Sequence, residues 1–563
     1  MLLNPKKGTR EFPDARTREI MEKTIAFFEA KGLAKVKEDD HERVWYQDFL
    51  DFVAREGIFH SLLTPPEYGE GCRWDTWRNT AFNELLGFYG LSYWYTWQVT
   101  ILGLGPIWMG KNEAVKKRAA AHLKSGGIFA FGLSEQGHGA DIYSTEMTLH
   151  PQPDGTWLAR GEKYYIGNGN EAALVSVFGK IAGSDDYVFF VVDPQHEKYE
   201  CVDNVCNSQN YVAHFTLHDY PITGGEILQT GRDAWDMSLN TVNVGKYNLG
   251  WASIGICTHA FYEAIDHASD RHLFDHAVTD FPHIRQFFVD AYCRLTAMKL
   301  FALRGADYMR TASPEDRRYL LYDPMVKMKV TSQGEEVMNL LWDIIAARGF
   351  EKDLYFEMAV RDIRALPKLE GTVHVNMALI IKFMKNFFFN SGSYPEIPET
   401  RDATHDAFLF DQGPTKGLSK IRFHDYRPVY AASNLPNVRI FRKQIGCFRR
   451  MLMLARPTKD QAQDFDFLLN VGELFTLVVY GQLLLEAAPL HGIDDDLLDR
   501  IFDVQVRDFS RYALQLLSKT GATGLQRAFC RRMIRTPKRD DARFDRIWEQ
   551  KVAALKGTYT MNP

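Results

Sequence analysis

Four short stretches hold residue types that do chemistry. Phe129–Asp141 (FAFGLSEQGHGAD) runs from an apolar segment through Ser134 and Glu135 into Gly137-His138-Gly139. Small residues let a flat ligand approach the backbone, and free N–H groups there donate to its edge. An ordinary turn has the same composition. Lys163–Gly169 (KYYIGNG) offers Tyr165 as an aromatic face for a planar ring, or as a half-buried strand residue. Arg271-His272-Leu273-Phe274 closes a helical stretch. Its guanidinium fork suits a pyrophosphate and equally answers a helix dipole. Glu370-Gly371-Thr372 stands just before the apolar helical run 373–389. A carboxylate buried there has its pKa raised by desolvation, as a general base near neutrality requires. The alternative is a helix-start acid facing backbone donors.

The elements that must position these residues follow from periodicity. Residues 1–126 have helical spacing, including ARTREIMEKTIAFFEAKG and the glycine-stopped NEAVKKRAAAHLK. Residues 127–233 are short β-rich runs between Gly, Asp, Asn and Pro turns, with a hairpin expected at Asp154-Gly155. Residues 234–390 return to long helices (241–270, 281–311, 324–348, 372–389), the pattern of a bundle. Residues 391–563 are a Pro/Gly/Asp-rich linker and a further helical region. The charge-free run 85–110 is long enough to span a bilayer. Its serine, threonines, Gln98 and Pro106 instead indicate two buried helices meeting near Gly103–Pro106. The run 474–485 is too short to span. The first residues are charged almost at once with no apolar run, so they are not expected to act as a signal peptide.

Composition narrows the classes. The chain has 563 residues, 45% apolar and 25% charged, which excludes a disordered chain, a collagen-like chain and a disulfide miniprotein. A net charge of −5 excludes generic polyanion binding by the whole molecule. Residues 501–563 are the exception, with 13 Lys/Arg against 6 Asp/Glu. The seven cysteines are odd in number and irregularly spaced, so reduced thiols and a cytoplasmic location are expected rather than a disulfide framework. Cys201 and Cys206 have no accompanying Cys/His cluster, and no metal site is expected.

In this order and at these spacings the four stretches resemble the acyl-CoA dehydrogenase family. The matching motifs are Ser134-Glu-Gln-Gly-His-Gly-Ala-Asp141, Lys163-Tyr-Tyr-Ile-Gly-Asn-Gly169 and Arg271-His-Leu-Phe274. They continue with Gly349-Phe350, Arg361-Asp362 and Glu370-Gly371-Thr372, and the resemblance covers residues 10–390. It implies an α+β fold: an N-terminal α-helical domain, a middle β-barrel or sandwich and a C-terminal four-helix bundle, here with an extra helical domain. It implies FAD, and Glu370 as the base that removes the α-proton of an acyl-CoA. It implies that Ser134 hydrogen-bonds the flavin and that Phe131, Leu133 and Tyr165 line its ring. Gly139, Ala140, Gly167 and Thr372 fall at cofactor-contacting positions. Arg271 and Phe274 match residues that reach the FAD of a neighbouring subunit, so an oligomer is implied. Asn243 and Lys246 fall where the family has Asp and Arg near the thioester and CoA. The departures are Gly167 for Thr/Ser, Ala140 for Ser, Asn243 for Asp, Asp275 for Gly, Ala346-Ala347 for Gly-Gly and Pro282 for Gln.

The implied reaction is α,β-dehydrogenation of a fatty acyl-CoA to the trans-2-enoyl-CoA within β-oxidation. The hydride goes to flavin N5 and the electrons to an electron-transfer flavoprotein. The rivals are an acyl-CoA oxidase using oxygen, a flavin-containing nucleic-acid-binding member of the same superfamily and a catalytically silent assembly factor; nucleic acid is not the expected partner. Residues 93–108 fall where the family lines the acyl pocket. Their aromatics suit a short or aryl-accepting pocket or are ordinary core residues, and their glycines suit a deep slot. The extension resembles that of the long- and very-long-chain branch, which implies a homodimer. The basic run 527–539 has no acid and would present either a solvated face or a contact with anionic lipid at a membrane periphery.

Overall fold

The computed structural model describes residues 1–563. The helix Ala15–His41 starts at Asp14, whose carboxylate accepts the Thr17 N–H, and is kinked at Gly32 with φ 75°. Thr76–Tyr89 and Leu91–Met109 are buried along almost their whole length; the second is predominantly apolar, while the first buries Arg78, Asn83 and Glu84 against polar partners. They meet at Gly90, not at Gly103–Pro106. Gly103 marks a close approach rather than a turn: a Cβ there would stand 2.7 Å from the Ala130 N. Pro106 is accommodated near the end of the helix, where a lost backbone bond disturbs little.

The middle domain is one twisted sheet. Its strands are β1 (Phe129–Gly132), β2 (Thr148–Pro151), β3 (Trp157–Gly167), β4 (Leu174–Ile181), β5 (Tyr187–Val192), β6 (Tyr199–Asn204), β7 (Val212–Ile222) and β8 (Ile227–Thr230). The order is β6-β7-β3-β2-β4-β5-β8, with β1 parallel to β4 in the register Phe129↔Leu174. Antiparallel β3 and β7 slip between Lys163↔Phe215 and Ile166↔Ala213. That bulge holds Tyr165 at φ 65° and re-aims its side chain outward.

The bundle comprises Asn248–Asp270, Pro282–Arg310, Thr331–Ile345 and Val373–Ile381, with Gly231–Gly245 leading into it. The helix expected over 241–270 is therefore two helices, and the break carries Lys246. A π-helical turn, Val326–Val330, precedes Thr331–Ile345.

The extension is welded to this core. Phe465–Leu490 is long and apolar enough to cross a membrane, yet its apolar window is largely buried within the protein. Ion pairs tie the extension to Pro282–Arg310: Arg294 with Asp508, Arg304 with Glu486, and Arg500 and Arg507 with Asp290. The last residues return to the first helix, where Tyr559 Oη donates to Glu29 at 2.9 Å and the Asn562 carbonyl accepts the Leu33 N–H at 2.8 Å. All seven cysteines are unpaired.

Candidate active site

Glu370 lies in the loop before Val373–Ile381, and both it (φ 50°) and Gly371 (φ 83°) are left-handed. A non-glycine residue held there is strained, as functional residues often are. Two contacts enforce the shape. Thr372 caps the following helix by accepting the Val375 N–H. Lys327, presented by the π turn, donates from Nζ to the carbonyls of Pro367 (2.8 Å) and Gly371 (2.5 Å). Such turns are frequent at functional sites.

The carboxylate is asymmetric. Oε1 accepts from Gln98 Nε2 at 2.6 Å, while Oε2 is buried with no partner. Gln98 is itself fixed: Nε2 also donates to the Gly245 carbonyl at 3.0 Å, and Oε1 accepts from Asn248 Nδ2 at 2.9 Å. Asn248 Oδ1 accepts from Asn83 Nδ2 at 3.1 Å. Asn83 Oδ1 accepts the indole N–H groups of Trp94 (2.7 Å) and Trp97 (3.1 Å). An indole only donates, so it sets the direction of every amide in the chain as far as Glu370. None of Asn83, Gln98 and Asn248 was singled out from the sequence as a site residue. The available signal was buried amides inside otherwise apolar helices.

Burial pushes Glu370 up to about 7, opposed by the Gln98 hydrogen bond and the charges of Lys327 and Lys246. Burial pushes Lys327 down to about 7 and Lys246 down to about 8, with Glu370 pulling both back up. Asp323, near Lys246, has both oxygens buried without partners, and its pKa is raised well above the carboxylate range. Ionisable groups tuned toward neutrality in one cleft are a mark of acid–base chemistry.

The helix Leu91–Met109, which reaches Glu370 through Gln98, meets through Tyr95 the edge formed by the end of β1 and the β3 bulge. Ser134 Oγ donates to the Tyr164 carbonyl at 2.7 Å. Buried Lys163 anchors the loop by pairing with Glu135 at 2.6 Å and donating to the Leu133 carbonyl at 3.1 Å. The N–H groups of Ser134, Gln136 and Gly137 have no acceptor within the chain. Tyr165 is 58% exposed beside them. Gly167 has a steric reason to lack a side chain: a Cβ would stand 2.6 Å from the Tyr95 ring. Tyr95 is one helical turn from Gln98, so one face of Leu91–Met109 touches both Glu370 and the end of β3.

The remaining expected residues divide. Leu133 is half-buried, and Gly139 and Ala140 are exposed in the loop. Phe131 stacks on Phe189 in the core, with ring centroids 6.0 Å apart. Asn243, half-buried, sits three residues before Lys246. Arg271 and Phe274 are not brought to this cleft: they lie on an exposed hairpin, with Phe274 87% exposed. Of the alternatives for 93–108, the glycines are used in packing rather than in opening a slot. Gly103 packs on Ala130, Gly105 would place a Cβ 2.6 Å from Thr241, and Trp94 and Trp97 are fully buried. Ala346, standing for a glycine, sits at φ 57°, and Pro282 occupies the first turn of its helix.

Residues 233–385 match the family model "Acyl-CoA dehydrogenase, C-terminal domain". A 3-(aryl)acrylate reductase of Clostridium sporogenes is 22% identical over 64% of this chain and 97% of its own length. The short-chain-specific acyl-CoA dehydrogenase of Megasphaera elsdenii is 22% identical over 62% and 93%. A Bacillus anthracis acyl-CoA dehydrogenase, solved with FAD, superposes at TM-score 0.73 and 16% identity, covering 98% of this chain and 97% of its own. The chain therefore has the acyl-CoA dehydrogenase fold, and that likeness extends through residues 391–563.

Proposed function

We propose that this chain is an FAD-dependent acyl-CoA dehydrogenase in which Glu370 abstracts the α-proton of a compact acyl thioester. The observation that carries this reading is the unpartnered, buried Oε2 of a carboxyl group poised at about 7. The residues fit the cofactor. The unpaired N–H groups of Ser134, Gln136 and Gly137 and the exposed ring of Tyr165 form a donor edge and an aromatic wall for a flavin ring. FAD, when bound, supplies the hydride acceptor that oxidation of a Cα–Cβ bond requires.

The chain's own residues account for the proton. Gln98 holds Oε1, leaving Oε2 to receive it. Lys327 keeps the loop in its strained turn, and the buried surroundings keep water from competing. The α-proton of a thioester is far too weakly acidic for an unaided carboxylate, so the developing negative charge on the thioester oxygen needs donors. The N–H of Glu370 has no acceptor within the chain and is available for that oxygen.

The substrate reading is narrower than a general fatty acyl-CoA. Tyr95 fills the space beside Gly167, Gln98 reaches Glu370, and the glycines of Leu91–Met109 are consumed in packing. These contacts support a short or aryl acyl group over a long chain. A second copy would cover exposed Arg271 and Phe274, which supports a homodimer, and an electron-transfer flavoprotein is the proposed acceptor. The unpaired thiols suit a reducing compartment such as the cytoplasm.

Anaerobic titration of the purified holoprotein with acyl-CoAs of increasing length tests this, with the visible flavin band as readout. Bleaching by short or aryl acyl-CoAs and not by long ones is the expected result. Bleaching by long chains only would overturn the substrate assignment. A flavin band that no acyl-CoA bleaches would overturn the activity, and rapid peroxide release in air would make the enzyme an oxidase.

A further inference from the structure

Two stretches free of acidic residues, 426–459 and 509–539, come together on the surface of the extension. The helix Pro436–Leu454 runs antiparallel to Gly524–Met533 and the segment after it. Three hydrogen bonds fix that register. The Lys538 N–H donates to Asn437 at 2.7 Å, Gln444 Nε2 donates to the Met533 carbonyl at 2.8 Å, and Gln526 Nε2 donates to the Ala455 carbonyl at 3.2 Å. Asp495–Ser518 lies behind both. Its Phe509 packs on Phe441 and Phe448, and its Ser510 accepts from Gln444 and from the Arg535 N–H.

The outer face is left with exposed cations: Arg439, Arg442 and Lys443 on one segment, and Arg531, Arg532 and Arg535 on the other. None of these six has a carboxylate within ion-pair distance. Beyond its first residue, the acids of the helix behind are already engaged: Asp496 by Arg543 and Arg546, Asp499 by Arg543, Asp503 by Arg500 and Arg507, and Asp508 by Arg294. This unneutralised face therefore belongs to a molecule whose net charge is −5. It runs along a helix of 19 residues, about 28 Å at 1.5 Å per residue. At one end two aliphatic side chains stand out together, Leu454 (65% exposed) and Leu525 (52% exposed), next to the Gln526–Ala455 contact.

We propose that this face docks the enzyme on an anionic lipid bilayer, the cations lying over headgroups and the two leucines entering the acyl boundary. A solvated face would be studded with compensating acids, and this one has none along either segment. Cations combined with projecting aliphatics are the signature of an interfacial surface. Leucines neither stack on bases nor hydrogen-bond to them, so they favour lipid over nucleic acid as the partner.

The test is cosedimentation of the full holoprotein with vesicles of phosphatidylcholine alone or mixed with phosphatidylglycerol. Binding is expected only to the mixed vesicles, weakening as salt rises. Arg531→Glu with Arg532→Glu should weaken it about 25-fold or more, at about fivefold per cation lost. Leu454→Asp with Leu525→Asp should weaken it with every cation still in place. Unchanged thermal midpoints show that both variants fold. Absence of binding to mixed vesicles at low salt would overturn the proposal, as would equal binding by the charge-reversed variant. Retention on duplex DNA without vesicle binding would reassign the face to nucleic acid and overturn it as well.

Discussion

The protein buries two carboxylates of similar intrinsic acidity and treats them in opposite ways. Asp508, where the extension meets the bundle, is gripped by Arg294 in two parallel contacts of 2.7 and 2.9 Å. Although burial opposes this, the Arg294 guanidinium holds it down to about 2. Glu370 receives one neutral amide, and its cationic neighbours act without touching it, so burial wins and carries it up to about 7. A buried acid given a guanidinium fork becomes a strut; one denied it becomes a base. The difference lies in which partner the fold delivers.

The largest way to break the comparison is Glu370→Gln. It keeps the Gln98 contact available and removes the proton acceptor, so flavin reduction in single turnover should fall by about 10³-fold or more. Near wild-type reduction would exclude Glu370 as the base. The matching change at the strut, Asp508→Asn, removes both short contacts and leaves the buried Arg294 charge with only Glu336, 3.7 Å away. It should cost about 3–5 kcal/mol in denaturant unfolding. Flavin reduction per folded molecule should be little changed, because the strut touches no part of the cleft.

A finer test sharpens the contrast instead of abolishing it. The rate of flavin reduction should rise with pH through about 7 as Glu370 deprotonates. The Gln98 N–H stabilises the charged form, so Gln98→Leu removes a hydrogen bond that lowers the pKa. The rising limb should move to higher pH, with the plateau rate reduced less than the rate at neutrality. A limb that stays in place would show that Gln98 fills space and does not tune the base.

The smallest expected effect is on stability. Glu370 is raised in the folded state above its ordinary value, so folding disfavours its charged form. The cost is absent below the ordinary carboxylate range, grows as pH rises toward about 7 and is complete above it. Glu370→Gln should therefore raise the melting temperature relative to wild type at pH above about 7, and not in mild acid. The opposite holds at Asp508, lowered in the folded state to about 2. Its stabilisation is present above the ordinary carboxylate range and is lost as pH falls through about 2, so Asp508→Asn should cost most near neutrality.

Some of this was legible along the chain and some was not. Glu370 stands out by type, since an acid beside glycine at the head of an apolar helix is an unusual combination. Lys163 and Glu135 sit inside recognisable motifs. The Gly90 junction was misread as Gly103–Pro106 because a glycine that permits close packing and one that permits a turn look identical in sequence. The break at Lys246 was hidden because apolar periodicity continues across it. The basic face was half visible: 527–539 reads as an acid-free run, while its partner helix 436–454 lies nearly a hundred residues earlier.

Local matters are written in the order of the amino acids: which segments are helical or extended, where a carboxylate, an aromatic and an arginine stand, and that the chain carries more helix than its catalytic region needs. Helical and strand periods are short, so neighbours in sequence suffice to reveal them. Only the tertiary structure decided the states of those groups. Gln98 meets Glu370 across 272 residues and Asn83 meets Asn248 across 165. A pKa depends on the solvent and partners that surround an atom, and an amide's orientation depends on the donor that faces it. Both are properties of packed neighbours, which the chain acquires only when it folds.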